Sequence, residues 1–122
     1  MTTITPEQQQ AIAVKVENMV LPSGLGTEES ACSIAAINLS LYGKLTDKIP
    51  GCMSLVIGRW MIGVQDRMSG EMRNSPQWKQ LLPLAAGTGR DPDRETARLG
   101  IILDWMWGIV LPTLQQIGRA HV

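Results

Sequence analysis

The chain has 122 residues, 44% of them hydrophobic and 18% charged, with 11 basic and 11 acidic side chains; that is enough for one domain with a real core and hardly for two. Its apolar fraction excludes wholesale disorder, and its balanced charge provides no basic stripe for phosphate neutralisation, so no nucleic-acid partner is expected. Two cysteines outside any CxxC and a single histidine support neither a zinc centre nor a disulfide scaffold, so no cofactor or metal is expected.

In chain order, Thr5-Pro6-Glu7-Gln8 supplies a capping hydroxyl, a proline for the first helical position and a Gln for a capping box. Ile12, Val16, Met19 and Val20 then form one apolar stripe, and Pro22 places the helix end near Val20. Thr27 is the next expected cap, with Glu28 and Glu29 in the first turn of a helix that runs to Tyr42 and closes on Gly43. That helix is apolar nearly all round, which puts it at the centre. A third helix is predicted over Cys52 to Met68, with Met53, Val56, Trp60 and Val64 inward. Its Gly58 and Gly63 suit either a closely packed helix backbone or a kink.

Ser75-Pro76 opens a short helix that Pro83 is expected to kink or split. Asp91-Pro92 opens the last one, with Asp93 and Glu95 in its first turn and a stop before Pro112. No stretch alternates like a strand. The expected fold is all-α, a single bundle-like domain of about five helices with short antiparallel connections. The N-terminus lacks the features of a signal peptide, and the apolar stretch Leu99 to Leu111 is too short for a bilayer and contains Asp104. A cytoplasmic location without membrane contact is therefore expected, with Cys32 and Cys52 packed as small apolar side chains.

Gly87-Thr88-Gly89-Arg90-Asp91 is the feature most open to a functional reading: glycine-rich backbone at a helix start, with Arg90 beside it, suits a phosphate or carboxylate. It follows a helix instead of a strand and lacks the Lys-Ser/Thr of a nucleotide loop, and a cap-to-cap junction explains every residue in it except Arg90. Glu28 and Glu29 with Asp66 or Asp104 offer a magnesium alternative, yet no inward ExxE, ExxD or ExxH pair accompanies them. Asp104 is expected at the edge of its helix or paired with Arg59 or Arg67. Ser30, Cys32 and Ser33 have no nearby histidine base, and no SxxK occurs, so no catalytic residue is assigned. Trp105 and Trp107, two apart, point about 200° from each other on a helix. At most one of them fits a single apolar stripe, and the other suits a partner surface.

The final residues Ile117-Gly118-Arg119-Ala120-His121-Val122 match the in-frame translation of a common short-read sequencing adapter, ATC GGA AGA GCA CAC GTC. The adapter's preceding AG also completes the codon of Gln116. On this reading residues 1–116 are the helical domain, residues 117–122 are a non-native tail, and the frame is the N-terminal part of a longer environmental sequence. His121 then drops out of consideration, and so does Arg119, leaving 10 basic against 11 acidic residues.

The run Gly26-Thr-Glu-Glu-Ser-Ala-Cys-Ser-Ile-Ala-Ala-Ile-Asn-Leu39, with Ile57-Gly-Arg-Trp60 and Leu82-Pro-Leu-Ala-Ala-Gly-Thr-Gly-Arg90, resembles a family of uncharacterised prokaryotic and phage-associated helical proteins. The resemblance covers most of Thr5 to Gln115 and implies further helical sequence after this block. It brings no activity and no catalytic residues. A looser similarity to helical immunity proteins rests on alanine-rich architecture alone. Two functions are expected from different classes. One is a helical interaction or structural module, phage- or defence-associated, whose Trp105 and Trp107 surface meets a protein partner or the rest of its own chain. The other is a small enzyme or anion-binding protein built on Gly87, Thr88, Gly89 and Arg90.

Overall fold

A computed structural model describes residues 3–27 and 31–120, the side chain of Ala120 excepted. The fold is all-α. Among the described residues the only non-helical pairing is an isolated bridge between Gly26 and Ala31. The chain divides into two compact units, one up to Arg90 and one from Asp91 onward.

The first unit contains α1 (Pro6–Glu17), α2 (Ser33–Tyr42), α3 (Leu55–Arg67), the single turn α4 (Gly70–Arg73) and α5 (Pro76–Ala86). At α1 the Thr5 hydroxyl accepts from the Gln8 N–H and the Gln8 side chain accepts from the Thr5 N–H, a complete capping box. Ile12, Val16 and Met19 are buried as the stripe requires, but Val20 is exposed. The helix ends on Asn18, so its period no longer applies by Val20, and Leu21 turns into the core instead.

Helix α2 starts later than Thr27. Its N-cap is Cys32, which makes no side-chain capping bond. The Cys32 N–H donates to the Leu25 carbonyl at 3.0 Å, and an isolated antiparallel bridge joins Gly26 to Ala31. Glu28, Glu29 and Ser30 lie outside the described residues. Every residue from Ser33 to Asn38 is buried, and α2 packs against α1, α3 and α5, the central place its composition demands. Gly43 closes it at φ 68°, a left-handed conformation that glycine adopts without a Cβ penalty.

Helix α3 is capped by the Ser54 hydroxyl, and its buried side is Gly58, Met61 and Gln65. Trp60 and Val64 lie only half-buried beside it, so the inward face is rotated by one residue from the expected stripe. On this face the Ile49 side chain occupies the space above Gly58: a Cβ there would sit 2.8 Å from the Ile49 Cγ2. A side chain, and not a neighbouring helix backbone, exploits this glycine. Nothing lies within 4 Å of a Cβ at Gly63.

The Ser75 hydroxyl caps α5, which continues without a break through Pro83. In the second unit the Asp91 carboxylate accepts from the Arg94 N–H at 3.0 Å and opens α6 (Pro92–Trp105). The expected stop before Pro112 does not occur. A π-helical turn, Met106–Val110, leads directly into α7 (Leu111–Ala120). Proline breaks a helix because its ring crowds the carbonyl four residues back and it donates no hydrogen bond. The wider turn, in which the Leu111 N–H reaches the Met106 carbonyl, relieves that crowding, and the Thr113 hydroxyl satisfies the Ile109 carbonyl at 2.6 Å. Ile117 to Ala120 continue this helix, while His121 and Val122 lie outside the described residues.

Candidate interaction surface

Internal polar groups of the first unit are saturated by one another. The Gln65 carbonyl oxygen accepts from the Ser33 N–H at 2.9 Å and from its hydroxyl at 3.1 Å, and the Gln65 amide donates to Asp66 at 2.8 Å. The Ser33 hydroxyl in turn accepts from the Trp78 indole N–H at 2.9 Å. Trp78 is covered and packs on Trp60 with ring centroids 6.1 Å apart. Ser33 is thus a structural hydroxyl, consistent with the lack of a nearby base.

Arg73 is only 8% exposed and has no acidic partner among the described residues. Its guanidinium donates to the carbonyls of Leu21 at 2.7 Å, Met68 at 2.7 Å and Gln65 at 3.2 Å. Two of these belong to the C-terminal end of α3, where the helix dipole favours a cation. Beside it Asn74 pairs with both backbone groups of Leu21, fixing the loop after α1. Among the described residues no buried side-chain nitrogen or oxygen lacks a partner. Sequence reasoning passes over Gln65, Arg73 and Asn74, since their partners lie up to 53 positions away.

The Gly87–Arg90 loop belongs to the same economy. The Gly89 N–H donates to the Cys52 carbonyl at 2.7 Å, and Gly89 takes φ 73°. The Thr88 hydroxyl accepts from the Ser54 N–H and donates to the Ala85 carbonyl, both at 2.8 Å. The Arg90 guanidinium donates to the carbonyls of Met53 at 3.0 Å, Ile49 at 3.0 Å and Pro50 at 3.1 Å. Gly87 lies against Ile4, with 3.1 Å between a built Cβ and that side chain. The loop therefore fastens the 49–54 segment to the end of α5, and the donors that an anion would use are turned toward carbonyl oxygens. This gives Arg90, the residue a cap-to-cap junction leaves unexplained, a structural role.

No group of three or more metal-ligating side chains occurs among the described residues. Asp66 accepts from the Gly24 N–H at 3.1 Å in addition to Gln65. Asp104 is exposed, and among the described residues the one ion pair is Arg98–Glu95 at 2.9 Å within α6. Burial raises the pKa of both thiols, Cys32 and Cys52, and keeps them neutral. Burial likewise raises that of Tyr42, with Cys52 adding to the effect. A groove of about 460 Å³ runs between α1 and α5 past Val16, Glu17, Lys79 and Pro83. Its Lys79 ammonium donates to the Met19 carbonyl at 2.7 Å.

The second unit is the opposite case. From Pro92 to Arg119 its helix spans 28 residues, and no part of its most apolar stretch is buried. Trp105 is 45% exposed and Trp107 78%, and Leu99, Ile101, Leu103, Met106, Ile109 and Leu114 are exposed with them. Trp107 sits inside the π turn. Between Arg98 and Arg119 the only charged side chain is Asp104, which shares one side of the helix with Gly100, four residues earlier. Because the helix does not stop at Pro112, it is long and apolar enough by length and composition to cross a membrane. The shortness expected of Leu99 to Leu111 therefore no longer argues against a bilayer.

In comparisons with known proteins, no family model, no curated protein and no solved structure matches this chain.

Proposed function

We propose that this protein is a non-enzymatic helical interaction module. Its first unit is a self-satisfied scaffold, and the helix from Pro92 onward carries the binding surface. The observation that carries this reading is Trp107, left 78% exposed in a helix whose apolar stretch is nowhere buried. Contiguous apolar patches beyond a few hundred Å² are rare on proteins that act alone, and tryptophan is enriched where partners anchor. The partner is protein: a separate chain or further sequence of the same one. A bilayer suits this segment less well. Asp104 would enter the hydrocarbon at a cost of about 2.5–3.5 kcal/mol if it reached the centre. Trp105 and Trp107 would also lie near the middle of the segment and not at the interfaces that tryptophan prefers.

A photo-crosslinking residue at position 103, introduced into the expressed full chain, tests the reading. A discrete protein adduct that disappears in Trp107→Glu supports it, provided the thermal transition of the chain is unchanged. Adducts to lipid alone, or none, would sink it.

A further inference from the structure

The apolar side chains of α6 indicate what covers them. At 100° per residue, Ile101, Trp105, Ile102, Met106, Leu99 and Leu103 follow one another around an arc of roughly 200°, with Gly100 and Asp104 in the remaining gap. One packed helix covers a stripe about 100° wide, so this arc needs a neighbour on each flank. The exposed fractions of the large apolar side chains from Leu99 to Leu114 amount to on the order of 1,000 Å² per protomer. Covering half of that on each of two protomers already reaches the roughly 1,000 Å² total that a specific interface requires. Asp104 is the one charge in the segment, and it lies in the gap. Copies packed along the arc therefore keep their Asp104 carboxylates in water and apart from one another.

We propose that the partner is a second copy of this chain: α6 and its continuation through the π turn assemble with the same helix of other protomers, arc against arc, with the Asp104 side facing solvent. This inference rests on the interaction reading above and specifies its partner. Burying the arc removes apolar surface from water at about 25 cal/mol per Å², and a symmetric assembly presents the same patch to itself.

Light scattering after size exclusion, on the full chain between about 1 and 100 μM, is the test. The expected result is a mass of at least two 13.3 kDa protomers at the upper end of this range. Ile101→Glu or Trp105→Glu should return the chain to a single protomer mass, and Asp104→Lys should leave the assembly intact. Loss of assembly in Asp104→Lys would overturn the proposed orientation. A wild-type monomer throughout would overturn self-assembly, and so would a monomer that instead sediments with phosphatidylcholine vesicles. Binding of an apolar fluorescent probe then separates the two ideas. If a monomeric wild type binds the probe and Trp107→Glu does not, the surface remains open for a different protein and only the second-copy proposal falls. If neither binds it, both readings fall.

Discussion

The two units contain the same residue types and handle them in opposite ways. In the first, Trp60 and Trp78 stack in the core and the Trp78 indole is hydrogen-bonded; in the second, Trp105 and Trp107 lie open. Arg73 directs its guanidinium to backbone carbonyls in a buried site and Arg90 does so at the surface, whereas Arg98 pairs with Glu95 on its own helix. A small domain normally satisfies its polar groups and hides its apolar ones together, because both follow from excluding water. Here the first unit buries a core and satisfies its polar groups, whereas the second satisfies its polar groups and leaves its apolar side chains exposed. The difference separates residues that hold the fold from residues free to bind.

The largest expected effect tests that separation directly. Arg73→Met leaves three carbonyls without their donor in a buried site and should destabilise the first unit by about 3 kcal/mol. Arg98→Met removes a pair of the kind usually worth under about 1 kcal/mol. Chemical denaturation followed by circular dichroism should show a large fall in midpoint for the first variant and almost none for the second. Comparable losses in both would break the comparison.

Next in size is a pair on one helix. Gly58→Ala drives a methyl group into Ile49 and should cost about 1–3 kcal/mol, overriding the better helix propensity of alanine. Gly63→Ala meets nothing within 4 Å and should gain up to about 1 kcal/mol. Thermal melts of the two variants should therefore move in opposite directions.

Alkaline pH provides a smaller effect confined to the first unit. Cys32 and Cys52 are held above the ordinary thiol value by burial, so the folded state favours the neutral form. Their contribution is fully present below about pH 8.5, the unfolded thiol value, and is lost as pH rises through the higher folded values. The melting temperature should fall over that range, less steeply in a Cys32→Ala, Cys52→Ala double variant. Both thiols should resist a thiol-reactive dye until the unit unfolds. The smallest expected change is Trp107→Gln: an exposed side chain with no packing partner should shift stability by no more than about 0.5 kcal/mol while weakening association.

The parts of this structure that could be read from sequence are those decided within one helical turn. Thr5 with Gln8, Ser75 with Pro76, Asp91 with Pro92 and Gly43 all act through bonds three or four residues away, and each falls where its local pattern places it. What could not be read depends on distant partners. Thr27 looks like a cap, but the Cys32 N–H is bonded to the Leu25 carbonyl and the helix begins only at Ser33. On the inward face of α3 Ile49 fills the space above Gly58, and the role of Arg73 is set by a carbonyl 52 positions earlier. Arg90 invited a ligand reading because its carbonyl partners lie about 40 positions back. Among the expected site residues, Trp105 and Trp107 stand out in both views, since no neighbouring element of the sequence offered to cover them.

The π turn at Met106–Val110 has a genetic corollary. A turn that bonds groups five residues apart holds one residue more than an α-turn would, so removing one codon there, for example that of Gly108, restores ordinary winding. The helix downstream then keeps nearly its original facing, because the wider turn had absorbed the rotation of the extra residue. Pro112 would meet the full crowding of an α-helical carbonyl and bend the rod. A single in-frame deletion here would thus act through Pro112 and leave the apolar side facing as before, whereas the same deletion within α6 would turn everything downstream by about 100°.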